Sequence, residues 1–163
     1  MIRIDVQADD FTVADEYQRL QQASSAAGAI AVFVGLVRDH NLGDRVSQLH
    51  LEHYPGMTER AITEFAEMAA RRWPLLDITV IHRVGTLRVQ DQIVFVGVSS
   101  AHRDAAFAAC DCLMDYLKSQ APFWKKERWQ TDDGAWCERW IEPEEKDRQS
   151  LQRWNNESST DTL

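Results

Sequence analysis

The sequence predicts an α+β fold in which helices pack on a mixed or antiparallel sheet. Two apolar runs rich in β-branched residues, 29–37 and 93–98, are typical of buried strands. The stretch 58–73 instead repeats its apolar residues at helical spacing. The chain has 163 residues, of which 44% are hydrophobic and 27% charged, and this suits one folded domain.

The first elements follow from local patterns. Alternation over residues 2–6 predicts a strand, and Thr12 predicts the capped start of a helix that ends near Gln22. The run 29–37 is apolar throughout and predicts a strand buried on both faces. Residues 39–45 are rich in turn-favouring types, so we expect a mobile loop there.

The middle of the chain predicts a strand, a helix and two further strands. Residues 46–53 alternate and form the half-buried strand, and 58–73 form the amphipathic helix that Pro74 stops. Residues 78–84 and 93–96 predict the two strands, joined by a connection rich in turn residues.

The last long helix is expected to begin at the N-cap Ser100 and to run to Lys118. Its predicted buried stripe consists of Phe107, Cys110, Met114 and Leu117. Residues 123–129 and 135–141 then predict a hairpin around a Thr-Asp-Asp-Gly turn.

The C-terminal region is charged and only weakly periodic. It predicts a loosely docked helix ending near Trp154, followed by a disordered tail over 155–163. We therefore expect a single domain over residues 1–154.

Composition disfavours several classes of function. Lys plus Arg total 18 and Asp plus Glu total 26, and the formal net charge of -8 disfavours nucleic acid as a partner. No apolar run approaches the roughly 18 residues of a membrane-spanning helix. The first residues also lack the pattern of a secretory signal. We expect a cytoplasmic protein without a membrane partner.

The cysteines and histidines predict neither a disulfide nor a metal site. Cys110, Cys112 and Cys137 are odd in number and form no C-x-x-C pair, so we expect reduced, packed thiols. The five histidines lack metal-binding spacing, and a single strand histidine is usually structural. Hydrolase-elbow, P-loop and dinucleotide-binding motifs are absent from the sequence. We expect no metal and no permanently bound cofactor.

A basic cluster interrupts the acidic chain. Lys118, Lys125, Lys126 and Arg128 lie close together in sequence, with Glu127 the one acid among the last four. A solvated surface is the ordinary explanation for such a cluster. Interleaved aromatic residues favour an apolar setting instead, where burial and a second cation both lower a lysine pKa. A lysine of this kind is a candidate acid, base or amine nucleophile.

Three further cations are candidate ligands for an anion. His102 and Arg103 stand in the first turn of a predicted helix, where unpaired N–H groups attract anions. Arg38 directly follows the buried strand 29–37. Ion pairs with neighbouring acids such as Asp104 are the alternative explanation.

Five blocks of the sequence resemble the large, catalytic subunit of molybdopterin synthase. They occur in the order typical of that family and extend over most of residues 1–154. The blocks are FVGLVRDHNLGD from Phe33, LEHYPGMTE from Leu51, IHRVG from Ile81, VFVGVSSAHR from Val94 and MDYLKSQAPFWKKE from Met114. The resemblance implies the hammerhead-type α+β fold of that family and an activity in sulfur transfer.

The resemblance also implies a substrate, a partner and a site. The family converts cyclic pyranopterin monophosphate into molybdopterin, a dithiolene. The sulfur comes from the C-terminal Gly-Gly thiocarboxylate of a small ubiquitin-like subunit. By this resemblance Lys118 and Lys125 are catalytic, and Phe33 and Met114 line the channel for the partner's tail. The implied substrate-binding residues are Leu36, Val37, Arg38, His102, Arg103, Lys118, Lys125, Lys126 and Glu127.

The assigned roles predict a twofold dimer. If His102 and Lys118 lie on one helix, sixteen residues at 1.5 Å rise separate them by roughly 24 Å. One small pterin does not reach both, so a single pocket must take them from different protomers. This agrees with the family's central homodimer flanked by two small subunits.

Two other functions stay open on the sequence alone. The same basic patch suits a non-catalytic dimeric module that binds a ubiquitin-like tail or small anions. It also suits an enzyme acting on phosphate esters without a thiocarboxylated partner.

Overall fold

The computed structural model describes residues 1–41, 44–45 and 47–157. Within these residues the chain forms ten strands and four helices. In chain order they are β1 (Ile2–Gln7), α1 (Val13–Ala23), β2 (Ala29–Leu36), β3 (His40–Asn41), β4 (Asp44–Arg45), β5 (Gln48–His53), α2 (Met57–Arg72), β6 (Leu75–Arg83), β7 (Gly85–Arg88), β8 (Gln92–Ser100), α3 (Arg103–Ser119), β9 (Phe123–Gln130), β10 (Trp136–Ile141) and α4 (Glu145–Glu157).

The longer strands form two four-stranded sheets. Sheet one has the order β1-β6-β8-β2, with β1 and β6 parallel and the other pairs antiparallel. Sheet two has the order β10-β9-β5-β7 and is antiparallel throughout. The short strands β3 and β4 pair with each other. The expected α+β class with a mixed sheet is confirmed.

Sheet one is covered on both faces, which explains its apolar central strands. One face packs Val80 and Val96 against Ile62 of α2 and Leu113 of α3. The other face packs against Leu20 of α1 and the side chains that lie with it. Because successive strand residues point to opposite faces, the central residues of β6 and β8 are buried on both sides of the sheet.

The chain passes from sheet one to sheet two across a single residue. β6 ends at Arg83 and β7 begins at Gly85, whose φ of 88° suits a residue without a side chain. β7 pairs with β5 and buries Leu87. The sequence-based expectation of only a turn-rich connection here is wrong, because a four-residue strand shows too little alternation to detect.

The expectation that residues 29–37 are buried on both faces is also wrong. Val32, Phe33 and Leu36 are 38%, 39% and 45% exposed. β2 is an edge strand of sheet one, whereas β6 and β8 lie inside the sheet. Apolar composition therefore does not mean burial here, and these side chains are exposed at the edge of the sheet.

Helix α3 differs from its predicted form at two points. Its N-cap is His102, and the hydroxyl of Ser100 instead donates to the carbonyl oxygen of Pro74 at 2.9 Å. Phe107, expected in the buried stripe, is 67% exposed. Cys110 and Leu117 are buried as predicted, Met114 is half-buried, and small residues such as Ala106 and Ala109 complete the buried stripe.

The C-terminal elements are better ordered than expected. β9 and β10 form the predicted hairpin, within one residue of the predicted bounds. Helix α4 is anchored to α3: Trp154 Nε1 donates to Asp115 at 2.6 Å, and Leu151 is buried against Cys112. The helix continues through residues 155–157, which were expected in the tail, and the remaining tail residues 158–163 lie outside the described part of the chain.

Residues 39–45 fall only partly within the described structure. His40–Asn41 and Asp44–Arg45 form the paired strands β3 and β4, where the sequence predicts a loop. The intervening residues 42–43, and residue 46, lie outside the described residues.

Candidate active site

A cavity of about 470 Å³ is lined by residues of both sheets, α3 and the start of α4. Its apolar wall includes Phe33 on β2, Met114 on α3 and Phe123 on β9. The charged groups on its lining are Arg38, Lys118, Lys125, Glu127, Glu142, Glu144 and Asp147. The cavity therefore combines apolar walls with cations and carboxylates.

The end of β2 brings Arg38 to the cavity. The β2–β8 pairing is irregular between Gly35 and Leu36, and Val37 is then held by hydrogen bonds to the main chain of Gln90 and Asp91. Val37 is buried while Arg38 is exposed. A Cβ added at Gly35 would lie 2.8 Å from Val94 Cγ1, so glycine allows β2 and β8 to approach closely here.

Lys118 and Lys125 reach the cavity from different elements. Lys118 stands in the last turn of α3, and Lys125 lies in β9 after the chain turns at Pro122. The Thr58 hydroxyl donates to the Pro122 carbonyl oxygen at 3.0 Å and holds this turn. Both lysines line the cavity, as the resemblance implies.

Burial lowers the pKa of the Lys125 ammonium, and the positive charge of Lys118 lowers it further. The carboxylates of Asp147 and Glu144 act in the opposite direction but do not cancel the effect. The sequence-based expectation of a desolvated lysine beside a second cation is confirmed for Lys125. A larger fraction of this amine is unprotonated at a given pH than for a lysine in water.

The alternation of β9 separates the two adjacent lysines. Lys125 and Glu127 line the cavity, whereas Lys126 is not among its lining residues. The Lys126 ammonium instead lies 5.0 Å from the ring centre of Trp140 and 3.5 Å from the Glu138 carboxylate. The structure does not bring Lys126 into the cavity, although the resemblance implies substrate contact.

Glu127 is buried and holds an ion pair at the cavity wall. The Arg139 Nε donates to Glu127 Oε2 at 3.0 Å, and Arg139 Nη2 lies 3.0 Å from the same oxygen. The guanidinium also lies over the Trp129 ring, 4.9 Å from its centre. The sequence leaves open whether Arg139 corresponds to the arginine near the C-terminal end in the family, because its pairing across the β9–β10 hairpin depends on register.

His102 and Arg103 lie outside this cavity. They stand at the N-terminal end of α3, whereas Lys118 stands in its last turn. The Arg103 side chain is 83% exposed and lies 3.7 Å from Asp104. Within one chain the structure therefore does not join these two residues to the lysines, and their part in a composite site stays a prediction.

The proposed tail channel lies on an open groove beside the cavity. One face of α3 presents Phe107, Asp111, Met114 and Lys118 at helical spacing, and Phe33 of β2 faces it. The groove shares Phe33, Met114 and Lys118 with the cavity. A ligand lying along the groove thus reaches the lysines without leaving a continuous surface.

His82 is a cavity residue that sequence reasoning overlooked. It is 6% exposed on β6, and its ring stacks on Phe123 with centroids 3.8 Å apart. Burial lowers its pKa to about 3, aided by the nearby charges of Lys125 and His53. The sequence signal was its place in the IHRVG block, since strand patterning alone indicates a structural histidine.

The arrangement suits anionic, carbonyl-bearing ligands. Arg38 and Lys118 supply donors for phosphate or carboxylate oxygens. The Lys125 amine is suited to proton transfer or to attack on an acyl carbon. Among the described residues, no group of three or more His, Cys, Asp or Glu side chains is placed to hold a metal ion, and no helix is long and apolar enough to cross a membrane.

Comparison with known proteins agrees with the geometry. A family model described as MoaE protein matches residues 6–120. The molybdopterin synthase catalytic subunit of Vibrio cholerae is 58% identical over 152 residues, covering 93% of this chain and 97% of the relative. That of Escherichia coli K12 is 51% identical over 152 residues, with the same two coverages.

Solved structures show the same fold. The molybdopterin biosynthesis MoaE protein of Burkholderia ambifaria superposes with a TM-score of 0.79 at 46% identity, covering 95% of this chain and 99% of that one. The molybdopterin synthase of Staphylococcus aureus superposes with a TM-score of 0.71 at 29% identity, covering 82% and 95%. The sequence-based expectations of fold, enzyme class and sulfurtransferase activity are confirmed, and the chain belongs to the MoaE family of molybdopterin synthase catalytic subunits.

Proposed function

We propose that this chain transfers sulfur to cyclic pyranopterin monophosphate from the C-terminal Gly-Gly thiocarboxylate of a small ubiquitin-like subunit. The product is the dithiolene molybdopterin, formed by delivery of two sulfurs. The observation that carries the proposal is the depressed pKa of Lys125 beside Lys118, in a cavity continuous with an apolar groove. The pterin is a substrate here, and the proposal includes no resident cofactor.

The charges of the cavity support this substrate and this donor. A cyclic phosphate and a thiocarboxylate are both anionic, and the chain as a whole carries a formal charge of -8. Arg38, Lys118 and Lys125 concentrate positive charge at one place in this acidic protein. We assign the phosphate to the exposed Arg38 and Lys118, with Leu36 and Val37 contacting substrate through backbone and packing.

Lysine chemistry offers three roles in the reaction. An ammonium polarises the acyl-sulfur group, an amine transfers protons as the pterin ring opens, or an amine attacks the acyl carbon after sulfur departs. Lys125 suits the last two roles because its lowered pKa favours the free amine. Lys118 is the exposed cation and suits the first role.

The groove between β2 and α3 suits the tail of the partner. Phe33 and Met114 line both the groove and the cavity, and a Gly-Gly tail has no side chains to obstruct a narrow passage. A relative from Helicobacter pylori, 18% identical, was solved as a complex of subunits 1 and 2 of molybdopterin-converting factor. We propose a corresponding small subunit for this chain.

We further propose a homodimer with two composite sites, flanked by two small subunits as a heterotetramer. His102 and Arg103 lie at the opposite end of α3 from Lys118 and outside the cavity of their own chain. In this arrangement one protomer contributes His102 and Arg103 to the cavity of the other.

Reconstitution tests the sulfur transfer. The purified chain is mixed with a thiocarboxylated small subunit and the cyclic pterin, and dithiolene is quantified by its fluorescent oxidation product. Lys118→Ala and Lys125→Ala should each reduce the rate by at least about a hundredfold, in the range of a lost acid–base or charge-stabilising group. Lys126→Ala is the matched control, because the adjacent side chain lies outside the cavity. Equal losses in all three variants contradict the assignment.

Complementation tests the composite site. A chain carrying His102→Ala and Arg103→Ala is mixed with a chain carrying Lys118→Ala under conditions that exchange protomers. Random pairing restores one intact site in half of the dimers, so about a quarter of wild-type activity should return. Sedimentation of each variant controls for assembly. No recovery from fully exchanged dimers contradicts sharing of the site, and a strictly monomeric active chain contradicts the dimer.

A further inference from the structure

The buried imidazole of His82 offers the cavity a hydrogen-bond acceptor of fixed identity. Its Nδ1 lies 2.8 Å from the carbonyl oxygen of Arg83. Because a carbonyl oxygen only accepts, Nδ1 must carry the proton and donate to it. The other ring nitrogen, Nε2, therefore presents a lone pair and acts as an acceptor.

The position of this ring is held from several sides. Phe123 stacks on it at 3.8 Å with the two planes 19° apart, and the Arg83 carbonyl fixes its rotation. Within the part of the chain that the structure describes, Nε2 has no hydrogen-bond partner. It is also not fully buried, because the one fully buried side-chain polar atom without a partner among these residues is Ser99 Oγ. His82 lines the cavity, and Nε2 is therefore the ring nitrogen available to a ligand there.

This acceptor stays neutral under working conditions. Burial lowers the pKa of His82 to about 3, and the electrostatic effect of the neighbouring Lys125 and His53 acts in the same direction. A carboxylate at this position would raise the pKa of Lys125 and would repel a ligand ending in a negative charge. A neutral imidazole accepts a hydrogen bond without either effect.

The surroundings of Nε2 favour a peptide main chain as the donor. The cavity that His82 lines has apolar residues such as Phe33, Met114 and Val94, and Val94 pairs with His82 between β6 and β8. The buried carboxylate of Glu127 is already engaged by Arg139. A backbone N–H entering this wall loses its water, and leaving it without an acceptor is unfavourable. A Gly-Gly tail brings such N–H groups and no side chains that could satisfy them.

We propose that Nε2 of His82 accepts a hydrogen bond from a backbone N–H of the small subunit's Gly-Gly tail. This inference rests on the proposed function and deepens it by assigning the register of the tail. The bond sets how far the terminal thiocarboxylate advances toward Lys125, which lines the same cavity. His82 is thus a positioning residue, acting through the tail rather than on the reacting atoms.

Ester substitution in the tail tests the bond directly. Two semisynthetic small subunits with ordinary carboxylate ends carry an ester in place of the amide of the last or the penultimate glycine, which replaces one N–H by oxygen. Calorimetric titration compares them with the all-amide subunit on wild type, His82→Leu and His82→Gln. One of the two esters should bind wild type about tenfold more weakly, as expected for a donor whose loss leaves a buried acceptor unpaired.

The His82 variants should reveal coupling between the two groups. His82→Leu should weaken the all-amide subunit about tenfold, and the ester should then cause little further loss. His82→Gln places a neutral oxygen at similar reach and should stay within about threefold of wild type. His53→Gln is the matched control, since His53 does not line the cavity and should leave every titration unchanged. A purely structural role for His82 produces no such coupling.

The outcomes separate this inference from the proposed function. The inference is overturned if neither ester weakens binding to wild type. It is also overturned if the ester weakens binding to His82→Leu as much as binding to wild type, because another acceptor then serves the tail. Should His82→Leu fail to fold, the wild-type ester titrations and His82→Gln decide. If the all-amide subunit does not bind wild type, or if wild type makes no dithiolene from the thiocarboxylated subunit, the proposed function itself is overturned.

Discussion

The guanidinium of Arg139 approaches the buried carboxylate of Glu127 at 3.0 Å through both Nε and Nη2. The two residues pair across the β9–β10 hairpin, so the ion pair ties the edge strand β10 to the cavity wall. Removing one partner of such a pair takes away the opposite charge that the buried group faces at close range.

Arg139→Met should therefore lower the free energy of unfolding by about 3 kcal/mol, the range for one half of a buried ion pair. Urea denaturation measures the loss. The double variant Glu127→Gln with Arg139→Met also removes the buried carboxylate charge and should recover more than half of the lost stability. A double variant as unstable as the single one indicates that packing of Arg139 on Trp129, rather than its charge, is responsible.

Lys118→Ala should move the titration of Lys125 to higher pH. The positive charge of Lys118 contributes to the lowered pKa of Lys125, so its removal favours the ammonium form. The rate at which an activated ester acylates Lys125, followed by mass spectrometry across pH, reports the midpoint. Lys118→Arg keeps the charge and should leave the midpoint in place. Asp147→Asn removes an opposing carboxylate and should move it lower. A midpoint insensitive to all three changes assigns the shift to burial alone.

His82→Gln should change how stability depends on pH. The pKa of His82 falls from an ordinary 6.5 to about 3 on folding, so between these values the unfolded chain binds one more proton than the folded chain. This contribution to the free energy of unfolding is therefore lost as pH falls, by about 1.4 kcal/mol per unit below 6.5. The variant lacks the contribution, so wild type minus variant should decrease on acidification. Parallel denaturation curves for the two proteins from pH 6.5 to 4.5 contradict a buried neutral imidazole.

Gly35→Ala should destabilise the strand end that presents Arg38. The added Cβ would lie 2.8 Å from Val94 Cγ1, closer than carbon atoms approach without a shift. The expected loss is about 1–3 kcal/mol, the range for overpacking in a well-packed region. Val94→Ala removes the opposing methyl groups, so the combined variant should lose less than the sum of the single losses. Strict additivity of the two losses locates the strain elsewhere.

Local patterns account for most of the secondary structure. The helix from Met57 to Arg72 and the β9–β10 hairpin follow from apolar periodicity and turn residues close in sequence. β7 and the exposure of Phe33 do not, because they depend on which sheet a strand joins and whether it lies at an edge. The residues next to a strand in sequence do not indicate which sheet it joins or whether it lies at an edge.

The site was predictable to a similar degree. The proximity of aromatic residues and cations around Lys125 indicates a desolvated amine before any coordinates are known. His82 lies 43 positions before that lysine and Arg139 lies 14 positions after it, and only strand pairing brings them to its cavity or its wall. That Lys125 lines the cavity and Lys126 does not follows from strand alternation once the register is known.

That alternation makes the site sensitive to the register of β9 against β5. A slip of one residue would reverse the two faces of the strand and turn Lys126 inward in place of Lys125. The two neighbours of β9 hold it in place, because β5 and β10 pair with it along most of its length. The hydrogen-bonded ladders on both sides of the strand therefore decide which of two adjacent amines meets the substrate.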